Sequence, residues 1–255
     1  MSGYSKGTAL KTTVITGFLG SLALAALLDA IPAAGQVPFE GEVRQIVTFS
    51  LLPGRSGEAL DLYRERALPL YKSDQHMHAF RVYREVESPV AMDVMVVSSF
   101  LGMSGMDSSN TSLRMLAQEA GSSIGSIYGA IGGLSSSHTD QFVEMLPDLG
   151  AGDASAARIT AFMWFNVEPG QSEAFESGIA DTVLPWEKES GVAASTGRVL
   201  VSDGWDYLRV VGRESLGDFQ SYLEGLNSHG GDELDPTISR RRVILVSNMK
   251  DMAIR

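Results

Sequence analysis

The 255-residue sequence contains no cysteine, four histidines, and 20 Lys and Arg against 31 Asp and Glu, a formal net charge of −11. Without cysteine there are no disulfides, thiolate metal sites, cysteine nucleophiles or lipid-modified cysteine anchor. Four histidines are thin material for a histidine-rich metal centre. The acidic balance and the lack of a basic patch argue against a nucleic-acid partner. Carboxylates are numerous but scattered, so no acid/base pair stands out. Aromatic residues make up 8% of the chain and hydrophobic residues 44%, an ordinary globular composition rather than a disordered or multi-span membrane one. The length suits one large domain or two of about 110 residues, each able to bury a core.

The first 35 residues read as an address. Lys6 and Lys11 precede an uncharged run from Thr12 to Leu28, and Asp29 is followed by the small-residue stretch IPAAGQVP. A positive lead, an apolar stretch and a small-residue exit make a secretory signal peptide, with cleavage between Ala33 and Gln36 and export to the periplasm or beyond. An uncleaved anchor is the rival. A spanning helix needs about 20 strongly apolar residues, and this run is diluted by Thr, Ser and Gly. After cleavage no stable membrane insertion is expected.

The rest of the chain repeats itself. RQIVTFSLLPGRSGEALDLYRERALPLYK, from Arg44, and TAFMWFNVEPGQSEAFESGIADTVLPWEK, from Thr160, share Phe49/Phe165, Pro53/Pro169, Gly54/Gly170, Ser56/Ser172, Leu68/Leu184, Pro69/Pro185 and Lys72/Lys188 at a constant offset of 116. In each copy an alternating strand (Val47, Phe49, Leu51; Met163, Phe165, Val167) runs into a Pro-Gly turn. A helix follows, for which Ser56 or Ser172 can serve as cap, and Pro69 or Pro185 should end or bend it near its last turn. Second and third strands are expected at Ala79–Val86 and Met92–Phe100, and at Gly197–Ser202 and Asp206–Arg213, the latter two joined by an Asp-Gly turn. Second helices are expected at Leu113–Ala120 and Leu216–Asn227, and last strands at Thr139–Met145 and Arg241–Asn248. The Gly/Ser-rich stretch 121–137 has no counterpart in the second copy. It reads as a loop or loosened helix end that shuts one barrel mouth, and it carries neither a Walker pattern nor Gly-x-Gly-x-x-Gly. The fold class is therefore α+β: two tandem ferredoxin-like β-α-β-β-α-β modules, 40–150 and 156–255, packing sheet to sheet.

FSLLPGRSGEALDLYRERALPLYK and FNVEPGQSEAFESGIADTVLPWEK resemble the opening strand and helix of the dimeric α+β barrel superfamily, closest to NIPSNAP-like and antibiotic-biosynthesis-monooxygenase-like modules. The resemblance covers most of residues 43–250. It implies an intrachain barrel with a ligand cavity inside, and a superfamily that hosts monooxygenases, haem proteins and proteins without known activity. The activity it implies is thus open: an exported binder of a small organic ligand, a cofactor-independent monooxygenase acting on an aromatic or lipophilic substrate, or a haem-binding protein. A homodimer is also compatible with it.

If Phe49, Leu51, Phe165 and Val167 face the helices, strand parity turns Thr48, Ser50, Trp164 and Asn166 inward. Those four, with Arg81 and Tyr83, are the ligand-binding candidates. The competing assignment has Trp164 filling the inter-sheet core and Asn166 satisfying a strand end. His76 and His78 form a His-x-His pair without an evident third ligand, which reads as a solvated loop pair rather than a metal site. His229 in LNSHGG sits where a histidine favours a helix C-terminus, the alternative to haem ligation. Arg240–Arg242 could clamp an anionic ligand at a barrel mouth, or form a charged edge.

Overall fold

The computed structural model describes residues 41–86, 94–154, 157–201, 204–231 and 234–254. The leader, its cleavage site and Ser202-Asp203 of the expected turn lie outside the described residues. The first set of elements is β1 (Glu42–Leu51), α1 (Ser56–Leu62), α2 (Leu68–Ser73), β2 (Met77–Glu85), β3 (Val94–Leu101), α3 (Gly102–Glu119), α4 (Ile124–Gly132) and β4 (Ser135–Leu146). The order then recurs as β5 (Ile159–Val167), α5 (Ser172–Gly178), α6 (Leu184–Glu189), β6 (Ala193–Val201), β7 (Tyr207–Arg213), α7 (Leu216–Leu226) and β8 (Ile238–Asn248). Only α4 has no partner in the second set.

All eight strands join one closed antiparallel barrel in the order β1-β3-β2-β8-β5-β7-β6-β4. A strand whose alternate residues are apolar on both faces can be covered on both, as β3, β5 and β7 are, whereas the first halves of β4 and β8 are polar and exposed. The outward residues Phe49, Leu51, Phe80 and Val82 pack beneath α1 to α4 with Tyr63, Leu70, Leu113 and Ile131. Met163, Phe165, Val167 and Tyr207 pack with Phe175, Ile179, Phe219 and Tyr222 of α5 to α7. The inward residues of both sets form a third core inside the barrel, where Ile46, Tyr83, Met95 and Val97 meet Phe162, Trp164, Leu208 and Ile244. The sheets therefore meet edge to edge as well as face to face, and each gives up its inner face to the other.

Several local expectations need correction. The residues that precede the first helices are Arg55 and Gln171, with Ser56 and Ser172 already helical and neither helix end carrying a side-chain cap. Pro69 and Pro185 do not end their helices. Each follows a π-turn (Tyr63–Ala67; Ile179–Val183) as second residue of the next α-segment, so the wide turn accommodates the missing N–H and the ring's clash with the preceding turn. The second helix of the first set is far longer than Leu113–Ala120. Residues 121–137 are not a loop: Ser123 Oγ accepts from Ser126 N at 3.1 Å and starts α4. Buried Ile127 and Ile131 then hold that helix to the sheet despite its glycines. Among the described residues, no helix is long and apolar enough to cross a membrane.

Candidate ligand site at one mouth of the barrel

Side chains normally fill a barrel of eight strands, and the middle of this one is filled. Trp164 is 2% exposed, stacks on Phe162 at 5.9 Å and donates from Nε1 to Gln141 Oε1 at 2.9 Å. At the mouth where β1 begins and β3 ends, the inward residues change character. Register sets Arg44 beside Ser99 and Ser99 beside Ala79, with Arg81 beside Val97. Small and polar residues there leave a cavity of about 400 Å³, floored by Tyr83, Phe162, Val97 and Val210 and walled by Arg44 and Arg81. An adjoining cavity of about 270 Å³ shares Glu42 and Arg44 and extends to Gly150, Gly152 and Ser195.

The charges are layered. The Arg44 and Arg81 side chains are 15% and 11% exposed, whereas their carboxylate partners Glu42 and Asp153 are 31% and 59% exposed. Arg44 Nε donates to Glu42 Oε1 at 2.7 Å, which leaves its terminal nitrogens available. Arg81 approaches Asp153 only to 3.7 Å, beyond hydrogen-bonding range, and makes no hydrogen bond to a described residue. Tyr83 is 1% exposed, packs edge-on against Phe162 at 5.4 Å, and its hydroxyl likewise has no described hydrogen-bond partner. Burial pushes the Tyr83 phenol well above its ordinary range, opposed by Arg81 and Arg44 and reinforced by Asp153. The group is a neutral donor at physiological pH. An apolar floor with a few convergent donors is the usual make-up of a small-molecule site.

Arg81 and Tyr83, named from the sequence, meet in this cavity; Thr48, Ser50, Trp164 and Asn166 do not. Those four do lie on the inward face: Thr48 pairs with Met95, and Asn166 follows Trp164 by two. They stand toward the opposite mouth, where Thr48 bonds Thr139 and the Ser50 carbonyl accepts from Ser136 Oγ at 3.0 Å. Asn166 Oδ1 is buried without a hydrogen-bond partner. Arg240 stacks over Trp205 at 4.0 Å and Arg242 lies 5.7 Å from the Trp164 ring, both exposed. Sequence reasoning missed Arg44, whose signal is its parity with Thr48 and Ser50. It also passed over Gly121-Ser122-Ser123-Ile124-Gly125, the spacing of a hydrolase nucleophile elbow. A helix, not a strand, precedes it, and Ser123 is a helix cap in ordinary extended backbone.

The histidines separate. His78 lines the cavity, but His76 belongs to a turn in which its N–H donates to Asp74 Oδ1 at 3.1 Å. No group of three metal-binding side chains occurs among the described residues. His229 lies outside the barrel after α7, stacked on Trp186 at 5.3 Å with Nδ1 2.9 Å from Gly225 O. His229 does not fit a haem inside the barrel: it lies outside, and aromatic and aliphatic side chains fill the interior.

This architecture is that of the dimeric α+β barrel, here closed within one chain. Among solved structures, a proposed monooxygenase from Lactobacillus acidophilus NCFM superposes with TM-score 0.59 at 12% identity over 84% of this chain and 96% of that one. An anthrone oxidase-like protein gives TM-score 0.54 at 10% identity over 84% and 93%. A mutant chlorite dismutase from Candidatus Nitrospira defluvii, in complex with cyanide, gives 0.54 at 12% over 84% and 92%. No family model and no curated protein matches the sequence. At these identities the likeness defines the fold alone.

Proposed function

We propose that the protein is an exported binder of a small organic molecule, which it holds in the Arg44–Arg81 mouth of its barrel. The observation that carries this reading is the cavity of about 400 Å³ in which a buried phenol and two nearly buried guanidiniums point donors over an aromatic floor. Residues 1–35 are its signal peptide, and 40–150 and 156–255 are two modules of NIPSNAP-like or antibiotic-biosynthesis-monooxygenase-like type. The test is a thermal-shift screen of small organic compounds against the wild type and Ala79→Trp, which sets an indole in the cavity. Ligands should raise the melting temperature of the wild type and lose most of that effect on the variant. No hit in the wild type, or hits unaffected by the indole, would sink the reading.

A second reading is favoured by the neighbours described as a proposed monooxygenase and an anthrone oxidase-like protein. In it the same cavity holds an aromatic or lipophilic substrate for a cofactor-independent oxygenation, with Tyr83 as a neutral hydrogen-bond donor. Oxygen uptake with screen hits, lost in Tyr83→Phe, separates a catalyst from a binder.

A further inference from the structure

We infer that the ligand is an organic carboxylate with a ring or chain for its body, and that Asp153 stands in for its head group when the site is empty. The inference rests on the ligand-binding reading and deepens it. Two observations on the cavity point the same way. Its inner layer is cationic and its rim acidic: the guanidiniums are the buried members of each pair and the carboxylates the exposed ones. In addition, the donors of Arg81, the terminal nitrogens of Arg44 and the Tyr83 hydroxyl are unused by described residues, although their side chains have left most of their water behind. Groups so placed have given up part of their hydration, stay open to the cavity, and gain from an acceptor that enters it. The planar fork of a guanidinium matches a carboxylate edge to edge, and each arginine already faces one carboxylate of the chain.

The two carboxylates stand at different distances from their arginines. Glu42 is bound to Arg44 at 2.7 Å, whereas Asp153 stands off Arg81 at 3.7 Å, with more than half its side chain in solvent. It follows Gly152, whose φ of 128° is a backbone setting open mainly to glycine, in a segment that also borders the second cavity. A ligand carboxylate would displace Asp153 from Arg81, span the two guanidiniums and accept from Tyr83. Its body would lie on Phe162 and Val210. His78 and Ser99 complete the wall, and neither adds a fixed negative charge. Glu42 and Asp153 balance the two guanidiniums at the rim, so the site selects an anion by close contact with its inner donors rather than by long-range attraction.

Calorimetry on the full mature chain with 2-naphthoate, its neutral amide and 2-naphthyl phosphate tests this. The acid should bind at least about ten-fold more tightly than the amide, as a charge-assisted hydrogen bond predicts. Arg44→Gln and Arg81→Gln should each reduce the preference for the acid over the amide to less than about two-fold. An unchanged far-ultraviolet dichroism and melting temperature of the empty variants report that they are folded. Asp153→Asn should tighten the acid several-fold relative to the amide. Equal binding of acid and amide by the wild type overturns the carboxylate assignment while the cavity reading stands. Tighter binding of the phosphate overturns the choice of head group, and a weaker acid in Asp153→Asn overturns the displacement. Binding of none of the three, together with an empty thermal-shift screen, removes the inference and the function it rests on.

Discussion

A guanidinium carried fully into a protein must be neutralised and hydrogen-bonded there, and Arg209 on β7 shows how much that requires. At 1% exposure it donates to Glu187, itself 0% exposed, and to Thr196, while Glu187 Oε1 also accepts from the Tyr222 hydroxyl at 2.9 Å. The pair lies behind the second half of the sheet, away from the ligand cavity, so its role is structural. Glu187→Ala strands the guanidinium and should cost about 3–5 kcal/mol in a urea melt, whereas Glu187→Leu combined with Arg209→Met should recover most of that loss. A double variant as unstable as the single one would show that the pair contributes more than mutual neutralisation. The first half solves the same position without charge. Tyr71, 116 residues before Glu187, bonds the Tyr128 hydroxyl at 2.8 Å. Neither arrangement was legible in the sequence, because the partners are far apart and no spacing relates them. The ligand site was legible in part. Strand parity turned the right faces inward, but parity alone does not say at which height along the barrel side chains stop filling it, so Trp164 stood out before Arg44.

Among the elements, the seam between β4 and β6 leaves no room for a side chain at Gly197. Val143 pairs with Val199 and Met145 with Gly197 across it. A methyl group at Gly197 would sit 2.7 Å from the Glu144 carbonyl oxygen and collide with the Val143 side chain. Removing a glycine from a strand ordinarily stabilises it by about 0.5–1 kcal/mol. Here the backbone contact reverses the sign, and Gly197→Ala should destabilise by about 1–3 kcal/mol, read from the denaturant midpoint. A variant more stable than the wild type would mean that the seam can slide. The sequence announced most elements through alternation, Pro-Gly turns and the offset repeat. It concealed α4, since glycines at 125, 129, 132 and 133 lower helix propensity throughout that stretch. What makes α4 a helix is its buried isoleucine face and the Ser123 cap, a tertiary reward that local composition does not display.

For the whole molecule, the decisive feature is the core inside the barrel. The repeat implied two similar halves, but not that neither half can cover its own inner face. Ile46, Tyr83 and Met95 come from the first set of strands, Phe162, Trp164, Leu208 and Ile244 from the second, and the two groups are buried in one shared core. The β2–β8 seam adds merely the pairs Tyr83–Asn248, Arg84–Ser247 and Glu85–Val246, so side-chain packing rather than strand pairing couples the halves there. Either half alone would leave the apolar inner face of its sheet open to water, which favours the whole barrel as the folding unit. Unfolding should therefore be one transition. Trp164 reports from the interior core and Trp186 from the helix layer of the second half. With the third tryptophan, Trp205, replaced by Phe in both, urea curves followed by the fluorescence of Trp164→Phe and of Trp186→Phe should each coincide with the loss of far-ultraviolet dichroism in the same variant. Two separated transitions in either variant would mean that one half holds together after the shared core has opened. The ligand cavity, whose lining draws on both halves, would then be lost before the fold is.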